Sequence, residues 1–383
     1  TIITGPFLPD LVLSSLALIG LYSFIRGKIK FVLYKETFIL WLFYIFIIIS
    51  SLTSDQPLYS LDYTLFYFRF IIFSHYFLYL LINVENSKRI FLYGILASLC
   101  LIIISSSYQL LLISLGFHEV EILRLKLPFS DEEVVGSFIV RMLPILFFFI
   151  YLNNELFKSK IFIKFTFGLV IFSSIIIIFS GERAAITYLI LFSFMIFFTF
   201  VKENFKLISI IFISFLILFG LVSVKNETIK NRILQDFERN TSLDPSTNVY
   251  FNYSLVSIEM VKDSLIVGKG PKMFRVLCDD KKFNDYPKNC NMHPHNLYFQ
   301  LLAETGIIGF LFLFIPYVLI FIKFSKNFFM KQTNTIFQLA SIGFLINFFP
   351  FVPSGNFFNN WLNTLFYLPI ILLVYSFNIN KKI

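Results

Sequence analysis

Long apolar stretches dominate the chain and recur with short polar breaks between them. Runs long enough to cross a bilayer at about 1.5 Å per residue fall at 8–25, 37–53, 65–83, 90–113, 134–152, 161–179, 184–201, 206–224, 296–322, 336–352 and 357–377. The pattern predicts eleven membrane-spanning helices, since inside lipid a helix satisfies its own backbone hydrogen bonds. Only between 225 and 295 does a long polar stretch of mixed charge interrupt it. The chain therefore divides into an N-terminal bundle of eight spans (1–224), a large loop capping the membrane face (225–295), and a C-terminal bundle of three spans (296–383).

Composition narrows the class. With 57% hydrophobic and 14% charged residues among 383, and 54 Phe, the chain is not a soluble globular domain. An outer-membrane barrel is excluded too, because its strands alternate over about ten residues, whereas these apolar runs are continuous. The net charge of +9 would suit a nucleic acid, but no nucleic-acid motif is present. Most of the excess lies in short connections, where positive charge marks the cytoplasmic side. Arg26, Lys28, Lys30 and Lys35 mark the first connection, and Lys88/Arg89, Lys158/Lys160, Lys202/Lys206 and Lys323/Lys326/Lys331 mark every second one after it. Alternate loops carry Asp55, Asp62, Glu119, Glu121, Asp131, Glu132 and Glu133 instead. By this count residue 1 and the segment 225–295 lie outside the cytoplasm. No cleavable leader is recognisable, and the start at Thr1 suggests a missing stretch with one more span, giving twelve with both ends inside.

Within the large loop, Asp244-Pro245-Ser246 reads as a turn or helix start, Tyr250–Val267 as an amphipathic helix, and Gly268, Gly270 and Pro271 as its end. Cys278 and Cys290 both lie here, away from the reducing cytosol, either as a disulfide or as two free thiols. Cys100 and His75 fall mid-span and read as packing residues, and His293 as part of the His-Pro-His turn.

The chemistry gathers at one level. An arginine inside a span costs roughly 2.5–3.5 kcal/mol on insertion scales, so it needs a partner or a watery cavity. Arg69 and Arg141 lie near the outer ends of their helices, Arg183 sits in a short outer turn beside Glu182, and His295 opens the span 296–322 on the same side. That arrangement predicts an outward pocket for an anion, since guanidinium groups grip phosphate with paired donors. For Arg69 and Arg141 the alternative is an ion pair with an acid such as Asp62 or Glu133. A histidine there can take a proton near neutral pH. Gly306 and Gly309, three residues apart, would let another helix approach closely. Glu304, nine residues beyond His295, falls on roughly the opposite helix face and suits an arginine better than the histidine. There is no phosphate-binding P-loop, no HExxH, and no Asp-x-Asp on a cytosolic stretch, so ATP-driven and nucleotide-sugar chemistry are not expected.

His295-Asn296, nine further residues and Gly306-Ile307-Ile308-Gly309 match a pattern of the bacterial O-antigen ligase and O-antigen polymerase superfamily. The chain resembles that family also in GKGPKMF at 268–274, in the arginine turn SGERAA at 180–185, in GSFIVRMLP at 136–144, and in its opening TGPFLPD. The resemblance implies a GT-C-like helical bundle in the bacterial inner membrane with its site facing the periplasm. It implies an inverting, metal-independent glycosyltransferase without cofactors, taking an undecaprenyl-pyrophosphate-linked glycan as donor. His295 would be the base that activates an acceptor hydroxyl. Arg183 and Arg141 would hold the pyrophosphate, with Arg69, Arg232 and Arg275 as further candidates. Asn296, Glu304, Gly268, Gly270, Gly306 and Gly309 would shape the site. The favoured role is ligase-like, joining glycan to lipid A-core in lipopolysaccharide biosynthesis. The alternatives are a polymerase joining repeat units and, from another class, a transporter or lipid-glycan flippase. A flippase would carry polar groups along its whole pathway, whereas these gather at one end.

Overall fold

A computed structural model of the chain describes residues 7–29, 35–115, 124–129, 133–153, 155–156, 159–200, 244–285, 290–329 and 334–379. The predicted span 206–224, and with it Arg232, lies outside the described residues. The helices run α1 (Phe7–Ile25), α2 (Lys35–Leu52), α3 (Pro57–Thr64), α4 (Phe68–Asn83), α5 (Ser87–Ser114), α6 (Val135–Leu152), α7 (Lys160–Phe179) and α8 (Arg183–Phe200). After the long connection come α9 (Val249–Asp263), the single turn α10 (Phe274–Leu277), α11 (Leu297–Phe329), α12 (Thr335–Asn347) and α13 (Asn360–Ile379).

The protein is an all-helical polytopic membrane protein. Eight helical segments among the described residues are long and apolar enough to cross a bilayer, α3 and α4 counting as one, and α2 and α12 are shorter apolar helices. Ten of the eleven predicted runs thus coincide with helices. The helix at 335–347 ends earlier than the apolar run 336–352, because Asn347-Phe348-Phe349-Pro350 leaves the helix before the proline.

Burial sorts the bundle into layers. The most apolar stretches of α6 and α13 are 78% buried, against 22% for α1 and α11. The inner helices α6, α12 and α13 pack on one another, with α4, α5 and α8 around them. Exposed apolar residues such as Leu18, Ile104, Ile161 and Leu319 cover the outer helices, as a lipid solvent requires.

α11 is not one continuous helix. At Gly306 the backbone takes φ 63° and ψ −167°, which breaks it. The segment after α9 fills the break: Ile307 N–H donates to the Leu265 carbonyl (2.9 Å), Lys269 N–H to Ala303 O (3.0 Å) and Gly270 N–H to Glu304 O (2.8 Å). Groups that would otherwise bond within the helix are satisfied by the loop instead. The Ser50 hydroxyl of α2 joins them, donating to Val267 O at 2.7 Å and Glu304 O at 3.1 Å. A Cβ on Gly268 would overlap the backbone of Thr305 and Gly306, and one on Gly306 the Ile266 carbonyl. Gly306 therefore receives a loop, not the neighbouring helix that the Gly-x-x-Gly spacing predicts. Gly309 faces Thr305 of its own helix.

In the large loop, Asp244 accepts from Ser246 N–H (2.9 Å) to make the turn at Pro245. Asn248 caps α9 by accepting from Tyr250 and Phe251 N–H, each at 3.1 Å. The helix ends at Asp263, short of the predicted Val267, because residues 264–270 are drawn into the α11 break. Cys278 and Cys290 are joined in a disulfide, with Cα atoms 5.6 Å apart.

Replacing Gly306 by alanine forces a disfavoured φ and a clash, and should cost about 1–3 kcal/mol. Thermal unfolding of the detergent-solubilised protein should show a clear loss for Gly306→Ala. Gly94→Ala, in open space on α5, should cause none.

Candidate functional site

Three features hold His295. It precedes α11 with φ 54°, a left-handed conformation uncommon for a side chain of this size. Its carbonyl accepts from Ser354 N–H (2.8 Å), in the turn between α12 and α13. The next residue, Asn296, caps α11 by accepting from Tyr298 N–H (2.9 Å) and Phe299 N–H (3.2 Å), while its Nδ2 donates to Pro350 O (2.7 Å). The histidine thus stands just before the helix, not within it, and is fixed from two sides.

The ring lies against α9, stacked on Tyr253 (centroids 5.9 Å apart) and edge-on to Tyr250 (5.7 Å). Asn291 Nδ2 lies 3.1 Å from His295 Nε2. Because Asn291 Oδ1 accepts from Met292 N–H at 2.6 Å, its amide nitrogen faces the ring and donates. His295 Nε2 is then the lone-pair nitrogen, the form a base requires. Burial pushes its pKa below the ordinary 6.5. His293, with its ring centroid 4.2 Å away, bonds the Ser354 backbone and is pushed down to about 3, chiefly by burial and then by His295.

Glu304 is fully buried beneath this group. Its Oε1 accepts from Phe274 N–H (3.2 Å) and its Oε2 from the Gln300 amide (2.9 Å). The carboxylate anchors the start of α10 and pairs with loop backbone and Gln300, where the sequence suggested an arginine. Its charged neighbour is Lys272.

The arginines do not share one set of contacts. Arg69 pairs with Asp10 of α1 at 2.8 Å, a partner the sequence did not suggest. Glu133 pairs instead with Arg124 at 2.5 Å. Arg141 is 5% exposed on α6, its guanidinium 5.3 Å from the Tyr188 ring and its Nε without a hydrogen bond. Glu182 stands nearby, but its oxygens are taken by Gly136 N–H (2.5 Å), Ser137 N–H (3.0 Å) and the Ser137 hydroxyl, which fastens the start of α6 to the α7–α8 turn. Burial pushes the Glu182 pKa up, against those bonds and the Arg141 charge. Arg183 begins α8, half-buried. Tyr188 is in turn an electrostatic neighbour of Tyr298 and Tyr317 on α11, which connects the Arg141 neighbourhood to the His295 helix. Arg275 lies on the other flank, 5.9 Å from the Tyr63 ring and close enough to His293 for its charge to be felt.

Sequence reading passed over Asn291, Ser354 and Lys272. Asn291 and Ser354 act through folding-dependent hydrogen bonds that no local pattern announces. Lys272 had one legible sign, its place in a Gly-Lys-Gly-Pro-Lys run where left-handed backbone is expected. Among the described residues, no three His, Cys, Asp or Glu side chains come together as metal ligands.

Fold and site together define a polytopic helical membrane protein with a histidine held just before α11 against two tyrosine rings and a second histidine. Residues 167–314 match the model of the Wzy_C family, O-Antigen ligase. That stretch includes Arg183, the loop around Gly268 and Gly270, His295 and the α11 break, and it makes this part of the chain similar to the O-antigen ligase and polymerase superfamily. The match accords with a glycosyltransferase of ligase or polymerase type acting on glycan and lipid-linked substrates. No curated protein matches the chain.

The depressed pKa of His295 has a definite sign. The unfolded imidazole takes its proton near 6.5, the buried one only at lower pH. Between those values the native state binds fewer protons, so this group makes stability rise with pH across that window. An NMR titration of the labelled ring should give a midpoint below 6.5. Asn291→Ala, which removes the donor to the neutral ring and admits water, should move it upward.

Proposed function

We propose that the protein is an O-antigen ligase-like glycosyltransferase that moves a glycan from an undecaprenyl-pyrophosphate donor to an acceptor hydroxyl at the periplasmic face of the inner membrane. The observation that carries this reading is His295: a buried imidazole whose pKa burial lowers, with Nε2 facing the Asn291 amide, held just before the spanning helix by the α12–α13 turn.

In the proposed step Nε2 takes the proton of the acceptor hydroxyl as that oxygen attacks the anomeric carbon of the donor sugar. The bond from that carbon to the pyrophosphate oxygen breaks, its electron pair leaves with the pyrophosphate, and the anomeric configuration inverts. Charge grows on the leaving pyrophosphate, and pre-placed guanidinium groups stabilise it without reorganisation. Arg141 and Arg183 are the proposed pyrophosphate ligands, and the unused Arg141 Nε is consistent with that task. Arg69, already paired with Asp10, is left outside the set. The large loop acts as the cap, with Glu304, Gly268, Gly270 and Gly306 holding it in place. A polymerase would use the same groups, so the two differ in the acceptor. The description of the matched family favours the ligase.

The test is glycan transfer in a strain that lacks its own ligase or polymerase and supplies a donor this protein accepts. The wild-type protein should restore polymer-bearing lipopolysaccharide, and His295→Ala, present in the membrane at equal level, should not. The banding pattern separates ligase from polymerase. Full activity in His295→Ala would remove the histidine from the mechanism.

A further inference from the structure

Lys272 stands out among the groups the proposed transfer does not use. It is 5% exposed and adopts φ 66°, a conformation that a lysine enters only under constraint. Its ammonium lies 5.0 Å from the Tyr63 ring, and the guanidinium of Arg275 lies 5.9 Å from the same ring. Arg275 Nε is also buried without a hydrogen bond, and the Tyr59 hydroxyl borders that guanidinium. Burial, and after it repulsion by the Arg275 charge, pulls the Lys272 pKa down to about 8, against the Glu304 charge.

Among the described residues neither charge has an ion-pair partner. Glu304 acts on the Lys272 charge and accepts from the Lys272 backbone N–H, but its oxygens are also engaged by Phe274 N–H and Gln300, and one carboxylate answers at most one of two charges. Lys269, three residues earlier, makes the contrast. It is 9% exposed and is matched by Asp263 and, at 3.7 Å, by Asp55. Burying two like charges side by side is costly unless an anion joins them.

We propose that Lys272 and Arg275 form an oxyanion-binding subsite, floored by Tyr63 and adjoining His293, that takes a phosphate or carboxylate group of a substrate. Lys272 supplies a point charge and Arg275 a planar fork of donors, which together suit a tetrahedral or planar oxyanion. The subsite stands on these side chains alone, and only its assignment to a glycan substrate rests on the proposed transfer. Both residues belong to the segment between α9 and α11, whereas Arg141 lies on α6.

The test uses the full chain in lipid nanodiscs with inorganic diphosphate as the first probe. The wild-type protein should bind it with an affinity that falls as salt rises. Lys272→Gly, which suits the φ of that position, and Arg275→Gln should each bind about tenfold or more weakly. Lys272→Arg, which keeps the charge, should stay closer to wild type. Arg275 is only half-buried, so its variant remains informative if Lys272→Gly does not fold. Two competitors then separate the sources of the oxyanion: a polyprenyl diphosphate, as in a donor, and a uronate-containing oligosaccharide, as in an acceptor. Displacement by either, lost in both variants, supports the subsite. Undiminished diphosphate binding in both variants, or no binding of any of the three probes to wild type, overturns it. Lys272-dependent binding together with full transfer by His295→Ala would sink the base assignment and leave the subsite standing.

Discussion

A membrane helix that breaks must find other partners for the backbone groups it exposes, and here a loop supplies them. The break in α11 at Gly306 hands Ala303 O, Glu304 O and Ile307 N–H to residues 265–270. In lipid each unmet group would cost several kcal/mol, so loop and break are mutually dependent. Only glycine at 268 and 306 lets the two backbones come this close. The buried Glu304 carboxylate then fixes the next turn through Phe274 N–H. From this junction the loop carries Lys272 and Arg275 on one flank, while α11 begins at the histidine turn on the other.

The second constraint comes from the opposite side of α11. The turn between α12 and α13 grips the histidine segment through Ser354 N–H on His295 O and Pro350 O on Asn296 Nδ2. A further buried network, in which Gln300 bonds both Glu304 and Asn356, ties that turn to the loop junction. The ring is therefore set by three elements distant in sequence: α9 beneath it, the α12–α13 turn behind it, and α11 leading away. Such a mount suits a base that must keep one tautomer and one direction.

Much of the bundle was legible beforehand, because lipid leaves few ways to bury 20 apolar residues in a row and the apolar runs therefore fall on helices. The turn at Asp244 was legible too, being local. What escaped was non-local. The Gly-x-x-Gly spacing suggests helix–helix contact as readily as loop docking, and only the broken backbone at Gly306 decides between them. Glu304 bonds a loop partner 30 residues earlier in the chain, Phe274, which its spacing from His295 could not show. The sequence places the arginines at one depth, but Asp10, from the far end of the chain, pairs with Arg69. Lys272 is buried because the loop is docked, so its exceptional position appears only with the fold.

The dependence of the site on the docked loop is tested most directly by hydrogen–deuterium exchange of the intact protein and of Glu304→Ala. Removing the carboxylate takes away the acceptor for Phe274 N–H and one of the two acceptors of the Gln300 amide, leaving it Asn356. The account predicts that amides over 264–275 lose protection and that the Asn291–Asn296 segment follows, while the core of α6 and α13 keeps its own. Unchanged protection over 264–275 in the variant would contradict it, and would mean that the loop is held by something other than the broken helix.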